Sequence, residues 1–260
     1  MNVYFIVEIL WEKIMKLLRS KIEELLNKAK VPKSFIEVLE SKNDIFPFSV
    51  EGRKIAYLMD IGVLSYSEYQ QIYHDYSRRN KYLELFDMAP RTFGETWGEQ
   101  HVMKLFPEFV KATRENMQPL YPTFDGEFDL CLDGSIRVEV KACRANSEKD
   151  KKLSLAGRAY MRSEAKENKF KYNYQQLKPS CCDVFIWIGV CKDELIYWVL
   201  TSEELKNTGK LGSQHRNENT GVAGVDVFEG QVFMTEDELA PYCVEESKLV
   251  SVVRSKCKKG

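Results

Sequence analysis

A nearly unbroken apolar run limits the possible folds of this chain. It is Asp183-Val-Phe-Ile-Trp-Ile-Gly-Val-Cys191. A short run of this kind is typical of a strand that is covered on both faces. Residues 135–142, in contrast, alternate apolar and polar side chains, as a half-exposed strand does. The sequence therefore predicts an α/β fold with a mixed sheet flanked by helices.

The first ninety residues show a different pattern, with apolar positions at helical spacing. Residues 3–29 are predicted to form one amphipathic helix that ends before Pro32, and shorter helices are predicted at 34–41, 52–61 and 66–87. We therefore expect a helical N-terminal region, 1–90, which is a candidate for dimerisation or DNA binding. The core of the protein is then expected at 91–260.

Within the expected core, four β-type runs are predicted to be strands: 127–133, 135–142, 183–191 and 194–200. Residues 153–178 are predicted to be helical or loop-like. The Gly- and Asn-rich stretch 207–224 is predicted to be a long loop. Loops of that length are usually functional or disordered.

Composition excludes several classes of protein. The 38 basic and 39 acidic residues give a net charge of −1, which excludes a uniformly basic protein that coats nucleic acid. No apolar run approaches the roughly 18 to 20 residues that a membrane span needs. The apolar N-terminal stretch is interrupted by Glu8 and Glu12, so we expect no export signal. Seven cysteines without a CxxC motif indicate reduced thiols, and we expect a cytoplasmic protein.

The segment around Asp133-Gly134 contains the candidate catalytic residues. Two β-type runs meet at this dipeptide, which is a strong hairpin signal, so Asp129 is expected to fold back towards Glu139 and Lys141. Glu139 and Lys141 point to the same face because side chains alternate along a strand. A loop of odd length places Asp129 opposite Glu139, whereas a two-residue loop places Asp129 on the apolar face. The sequence leaves both registers open.

Two adjacent carboxylates suit a hard cation such as Mg²⁺, which takes one or two protein carboxylates and completes its coordination with water and phosphate. A lysine in the same site, Lys141, is suited to hold or activate an attacking water and to offset the charge of a phosphorane. This combination predicts phosphodiester hydrolysis with Asp129 and Glu139 as metal ligands. The alternative is an edge hairpin whose charged side chains are solvated and paired across the strands.

The segment resembles the PD-(D/E)xK nuclease superfamily, in which an acidic residue of one strand is followed by (D/E)xK in the next. Asp129 and Glu139-Val-Lys141 match these positions. The resemblance implies a helical glutamate that completes the metal site, for which Glu99 is preferred to Glu95. No proline precedes Asp129, so Asp125 remains an alternative first acid.

The resemblance covers about residues 92–200 and implies a PD-(D/E)xK nuclease-like fold. Type II restriction endonucleases are the branch most similar in size and in their helical and loop additions. The expected function is therefore Mg²⁺-dependent, sequence-specific cleavage of double-stranded DNA. Two active sites are needed to cut both strands, so a homodimer is expected. The alternatives are a structure-selective repair or recombination nuclease of the same superfamily, and a non-catalytic DNA-binding module that kept the fold.

DNA contacts are expected from two segments. Residues 135–178 contain five acidic and twelve basic residues, and Arg144 is one of the basic ones. This segment abuts the expected metal site. The alternative for this segment is a solvated helix face. The second segment is the long loop, where Gln214, His215, Arg216 and Asn217 have the side chains that read base edges, although a surface loop is polar by default. Four further residues are candidates for phosphate contact: Tyr172, Tyr174, Gln175 and Gln176.

Overall fold

The computed structural model describes residues 22–41, 50–149, 151–213 and 230–257, without the side chains of 38–41, 50, 51 and 95. The chain divides into two compact units, the first ending at Lys81 and the second beginning at Tyr82. This division precedes the boundary expected after residue 90. The difference arises because Leu85 and Phe86 are buried in a core of the second unit.

The first unit is helical where it is described. Residues 22–28 are helical, and three helices follow: α1 (Lys33–Ser41), α2 (Val50–Asp60) and α3 (Tyr66–Arg79). Of the predicted helix 3–29, only the part from residue 22 lies within the described residues. Helix α3 is shorter than the predicted 66–87, because Asn80 leaves the helical conformation with φ −122°. Six buried side chains form the core of this unit: Ile22, Leu26, Ile55, Leu58, Leu64 and Ile72.

The second unit contains a six-stranded mixed sheet with the order β1-β2-β3-β5-β6-β9. Strands β3 and β5 are parallel, and the other neighbours are antiparallel. The strands are β1 (Phe109–Lys111), β2 (Leu130–Leu132), β3 (Ile136–Arg144), β5 (Val184–Val190), β6 (Leu195–Thr201) and β9 (Cys243–Val244).

A smaller antiparallel sheet has the order β4-β8-β7. Its strands are β4 (Lys171–Leu177), β7 (Gly212–Ser213) and β8 (Gly230–Thr235). Strand β4 lies in the segment 153–178 that was predicted to be helical or loop-like, so that prediction was wrong for residues 171–177. Strand β8 has no counterpart among the predicted strands.

Helices lie on both faces of the large sheet. They are α4 (Pro90–Thr92), a π-helical segment (Phe93–Trp97), α5 (Gly98–Leu105), α6 (Arg114–Met117), α7 (Arg162–Glu167), α8 (Ser202–Asn207), α9 (Glu236–Leu239) and α10 (Leu249–Cys257). Short 3₁₀ turns occur at Leu83–Phe86, Ala156–Arg158, Ala240–Tyr242 and Glu246–Lys248. The predicted α/β class, with a mixed sheet flanked by helices, is confirmed. Within the described ranges, no helix is long and apolar enough to cross a membrane.

Strand β5 lies between two hydrophobic cores, and all of its residues are buried. Phe185 and Trp187 pack into the core that the small sheet covers, together with α7, α8 and α9. Ile186 and Ile188 pack on the opposite face, against α5 and α10. The apolar run of the sequence is therefore a central strand that is covered on both faces, as predicted.

Gly189 of β5 lies against two buried aromatic rings. A Cβ added at this position would lie 2.6 Å from ring atoms of Trp198 and 2.8 Å from Tyr172. Gly189→Ala is therefore expected to lower the free energy of unfolding by about 1–3 kcal/mol, the usual effect of overpacking a core. Denaturant unfolding followed by circular dichroism measures this change. Gly94→Ala is the control, because no heavy atom lies within 4 Å of its added Cβ. Equal unfolding midpoints for the two variants would contradict the expectation.

Candidate active site

The loop between β2 and β3 fixes the register of the hairpin. Leu132 pairs with Ile136, so three residues form the loop. Asp133 and Gly134 both have positive φ angles, 52° and 74°, and the Ser135 N–H donates to the Leu132 carbonyl at 3.2 Å. Positive φ is accessible to glycine and, among other residues, most readily to Asn and Asp. The loop therefore has an odd length.

This register places Asp129 beside Glu139. Leu130 pairs with Val138, and the same register continued by one residue sets Asp129 opposite Glu139 on one side of the hairpin. The Val140 N–H donates to Asp129 Oδ2 at 2.8 Å, which fixes the carboxylate against β3. The structure therefore adopts the register that brings the two predicted metal ligands together.

Glu139 and Lys141 form a buried ion pair. Lys141 Nζ lies 2.6 Å from Glu139 Oε1, and the side chains are only 20% and 7% exposed. Glu139 Oε2 is buried and has no hydrogen-bond partner. Burial raises the pKa of Glu139 to about 7, although Lys141 acts in the opposite direction. Burial also opposes the charge of Lys141, but the carboxylates of Glu139 and Asp129 outweigh it and raise the pKa of the lysine.

Helix α5 supplies a third carboxylate. A Cβ added to Gly98 would lie 3.4 Å from Val140, so this helix lies close against β3. Glu99, the next residue, contacts Lys111 of β1. Burial and the nearby Asp129 carboxylate raise the pKa of Glu99. The side chain of Glu95, the alternative helical acid, lies outside the described residues.

One cavity of about 480 Å³ brings these groups together: Glu99, Asp129, Glu139 and Lys141 all line it. Asp125 does not line this cavity and instead accepts a hydrogen bond of 2.8 Å from Arg114 Nε. Of the two candidate first acids, the structure thus places Asp129 in the site. Strand β4 and the residue after it also line the cavity, through Asn173, Gln175, Gln176 and Lys178.

The carboxylates fit a hard divalent cation. In the part of the chain that the structure describes, no group of three or more His, Cys, Asp or Glu side chains is arranged to hold a metal ion. Mg²⁺, however, is usually bound through only one or two carboxylates, with water and phosphate as further ligands. Asp129 and Glu139 are adjacent, and Glu139 Oε2 is buried without a protein partner. These two residues are the ones that would hold Mg²⁺.

The affinity for Mg²⁺ is expected to depend on pH because protons compete for Glu139. The pKa of this carboxyl in the metal-free protein is about 7, so it is mostly protonated below that pH. Affinity is expected to fall by up to about tenfold per pH unit below pH 7 and to level off above it. Calorimetric titration with Mg²⁺ at pH 6, 7 and 8 measures this. Glu139→Gln is expected to bind weakly and without this dependence. Equal wild-type affinity from pH 6 to 8 would contradict the expectation.

Arg144, expected to contact DNA, makes several contacts within the protein. Its Nη1 donates to the carbonyls of Leu85 and Met88, at 3.0 and 2.9 Å, and its guanidinium lies over the ring of Phe93 at 4.4 Å. It does not line the cavity. These contacts join β3 to the preceding 3₁₀ turn, and a contact of Arg144 with DNA stays a prediction. The other four residues expected to contact DNA, Gln214, His215, Arg216 and Asn217, lie outside the described residues.

The charged segment 135–178 is partly neutralised in the folded protein. Arg162 pairs with Glu194 and Glu236, both at 2.7 Å, and Arg137 pairs with Asp183 at 2.6 Å. The net positive charge counted along this segment therefore overstates its basic surface.

The four candidates for phosphate contact divide into two pairs. Tyr172 and Tyr174 are only 1% exposed and belong to the core. Gln175 and Gln176 are exposed and line the cavity. Two further lining residues, Asn173 and Lys178, were not assigned to the site from the sequence. The signal that identifies them is their position in or next to the strand that carries the two glutamines.

No known protein family, curated protein or solved structure matches this chain. An inference about function therefore depends on the residues of the cavity and on their geometry.

Proposed function

We propose that this chain is a Mg²⁺-dependent deoxyribonuclease of the PD-(D/E)xK superfamily, and specifically a type II restriction endonuclease. The observation that carries the proposal is the convergence of Asp129, Glu139, Lys141 and Glu99 on one cavity. Asp129, directly before β2, and Glu139 and Lys141 in β3 match the superfamily motif, and the hairpin register sets the two acids side by side. The reaction would be hydrolysis of phosphodiester bonds in double-stranded DNA.

The charge balance of the cavity favours a bound cation, which an anionic substrate would need in order to bind there. Three basic and four acidic side chains line it, a formal charge of −1: Arg91, Lys141 and Lys178, against Glu99, Glu127, Asp129 and Glu139. A phosphodiester would be repelled by this set alone. A divalent cation reverses the sign, which supports a metal-dependent reaction on phosphate.

Each residue has a distinct task in this proposal. Asp129 and Glu139 hold Mg²⁺, which supplies Lewis-acid stabilisation of the charge on the phosphate. The raised pKa of Lys141 keeps it protonated at neutral pH, so its N–H groups are suited to donate to the attacking water or to a phosphate oxygen. Glu99 lies next to Asp129 and adds a further carboxylate to the site.

Two features of the proposal extend beyond this active site. Cutting both strands of a duplex at one position is simplest with two symmetry-related active sites, so we propose a homodimer. Recognition of a defined sequence requires contacts to base edges as well as to phosphates.

Incubation of the purified protein with a large plasmid tests the proposal. Discrete fragments with Mg²⁺, and none with EDTA, are expected for a restriction enzyme. A smear would favour a structure-selective or unspecific nuclease, and DNA binding without cleavage would favour a non-catalytic module. Sequencing of the fragment ends would identify the recognition sequence. If the protein neither bound nor cleaved DNA, the proposal as a whole would be contradicted.

A further inference from the structure

The outward face of the small sheet is polar and open to solvent. The inward side chains of β4 and β8 are buried in the core beneath: Tyr172, Tyr174, Leu177, Val232 and Met234. Because side chains alternate, the other face of these strands carries Lys171, Asn173, Gln175, Gln231 and Phe233. We call this face the β4–β8 ribbon.

Phe233 is the apolar residue of this ribbon. It is 47% exposed and pairs directly with Asn173 across the strands, so the ring and the amide are neighbours on the same face. An isolated exposed apolar residue needs no explanation. Here, however, the ring lies beside an amide whose Oδ1 atom is buried without a hydrogen-bond partner.

The ribbon continues into the candidate active site. Asn173 and Gln175 belong to its outward face and also line the catalytic cavity. The pairing of β4 with β8 shifts between Tyr174 and Leu177, and Gln176 has a φ of 54°. Such a bulge re-aims side chains beside a site. A ligand lying along the ribbon would therefore reach the carboxylates.

We propose that the β4–β8 ribbon enters the major groove of duplex DNA and positions the adjacent phosphodiester in the cavity. This inference rests on the proposed nuclease function and adds the surface that holds the substrate. The major groove admits a two-stranded β-ribbon. Amide side chains pair with adenine edges, and an aromatic ring packs on the thymine methyl group, so the central side chains match what the groove offers.

The charges along the ribbon agree with this occupant. Lys171 begins β4, and Lys178 follows its end in the cavity. Seven residues of strand span about 20 Å, more than the groove width of about 12 Å, so lysines at the two ends of β4 are far enough apart to contact phosphates at the groove edges. Two of the three acids of α9 are paired, Glu236 with Arg162 and Glu238 with Lys210, and the third is Asp237.

The test measures DNA binding without cleavage. The full chain is titrated in EDTA against a fluorescent pool of random 30-base-pair duplexes, and anisotropy gives the affinity across a salt series. The variants are Lys171→Ala and Phe233→Ala. Lys248→Ala and Val110→Ala are the matched controls, because both residues are also exposed. Lys248 lies in a 3₁₀ turn and Val110 on β1 of the large sheet, so neither belongs to the ribbon.

Lys171→Ala is expected to make the salt slope shallower by about one unit, since one phosphate contact is lost. Phe233→Ala is expected to weaken binding roughly fivefold or more at an unchanged slope, because an apolar contact carries no charge. The controls are expected to match the parent protein. Circular dichroism of each variant checks that folding is retained.

Three outcomes would overturn the inference. If the parent binds duplex DNA and both ribbon variants match it, the ribbon is not the docking surface, although the nuclease proposal stands. Binding to single strands but not to duplexes would exclude a groove contact. If Phe233→Ala changed the oligomeric state but not the affinity for DNA, the face would be assigned to contact with a second copy of the chain. A parent that neither binds nor cleaves DNA would instead reject the proposed function itself.

Discussion

Alanine at Asp129 or at Glu139 is expected to reduce Mg²⁺-dependent cleavage of duplex DNA by about a thousandfold or more. A bound metal ion contributes several kcal/mol of transition-state stabilisation, and about 1.4 kcal/mol corresponds to a factor of ten in rate. Single-turnover cleavage of a plasmid at saturating Mg²⁺ measures the loss. Contamination by another nuclease would leave activity in all variants alike.

Isosteric variants separate the loss of metal from damage to the fold. Asp129→Asn keeps an oxygen that can accept the hydrogen bond from the Val140 N–H. Glu139→Gln keeps the shape of the side chain but cannot serve as an anionic ligand. Both are expected to melt cooperatively and to remain inactive. Full cleavage by either variant would reject its residue as a metal ligand.

Asp125→Ala is the matched control for the first acid. The Asp125 carboxylate pairs with Arg114 and does not line the cavity, so this variant is expected to retain nearly full activity. If Asp125→Ala were inactive and Asp129→Ala active, the first acid would have to be reassigned.

Lys141→Ala is expected to slow cleavage by about 10²–10³-fold, the usual effect of removing one preorganised donor from a developing negative charge. Loss of the lysine also leaves the Glu139 carboxyl buried without its ion-pair partner, which raises the pKa of that carboxyl further. The rate is therefore measured at saturating Mg²⁺ and at pH 7 and 9. In Lys141→Ala, weakened Mg²⁺ binding is expected to recover at pH 9, whereas the cleavage rate is expected to remain low.

Lys141→Arg is expected to be nearly as impaired. A guanidinium is planar and has a different reach from an ammonium group, and the space around Lys141 Nζ is largely buried. A wild-type rate in Lys141→Arg would show that this position only neutralises phosphate. A wild-type rate in Lys141→Ala would remove the lysine from the mechanism.

The sequence predicts the β2–β3 hairpin well because the information for it is local. Alternation along β3 places Glu139 and Lys141 on one face, and Asp133-Gly134 marks the turn. The sequence leaves the loop length open because the same dipeptide also suits a two-residue turn. The register depends on whether Ser135 joins the loop or the strand, and the structure places it in the loop.

Strand β4 was missed because its pattern is interrupted and its partner is distant. Tyr172 and Tyr174 alternate as a strand requires, but the bulge before Leu177 breaks the period of two. Its hydrogen-bonded neighbour, β8, lies beyond the long loop. The internal contacts of Arg144 could not be predicted, for a related reason. Its carbonyl partners belong to a turn that precedes β3 by many residues, and nothing in the local sequence indicates this contact.

The parallel pairing of β3 with β5 has a consequence for how the cavity assembles. The hairpin of β2 and β3 closes a short loop, whereas β5 joins only after the crossover that contains β4, and β4 in turn pairs with the still later β8. Pairings between distant segments form slowly because loop closure must precede them. A chain emerging from the ribosome therefore carries its acidic residues and lysine before β4, which also lines the cavity, is paired with β8. Under the proposed function, the strand β4 that lines the cavity gains its hydrogen-bonded partner only after β8 has been synthesised.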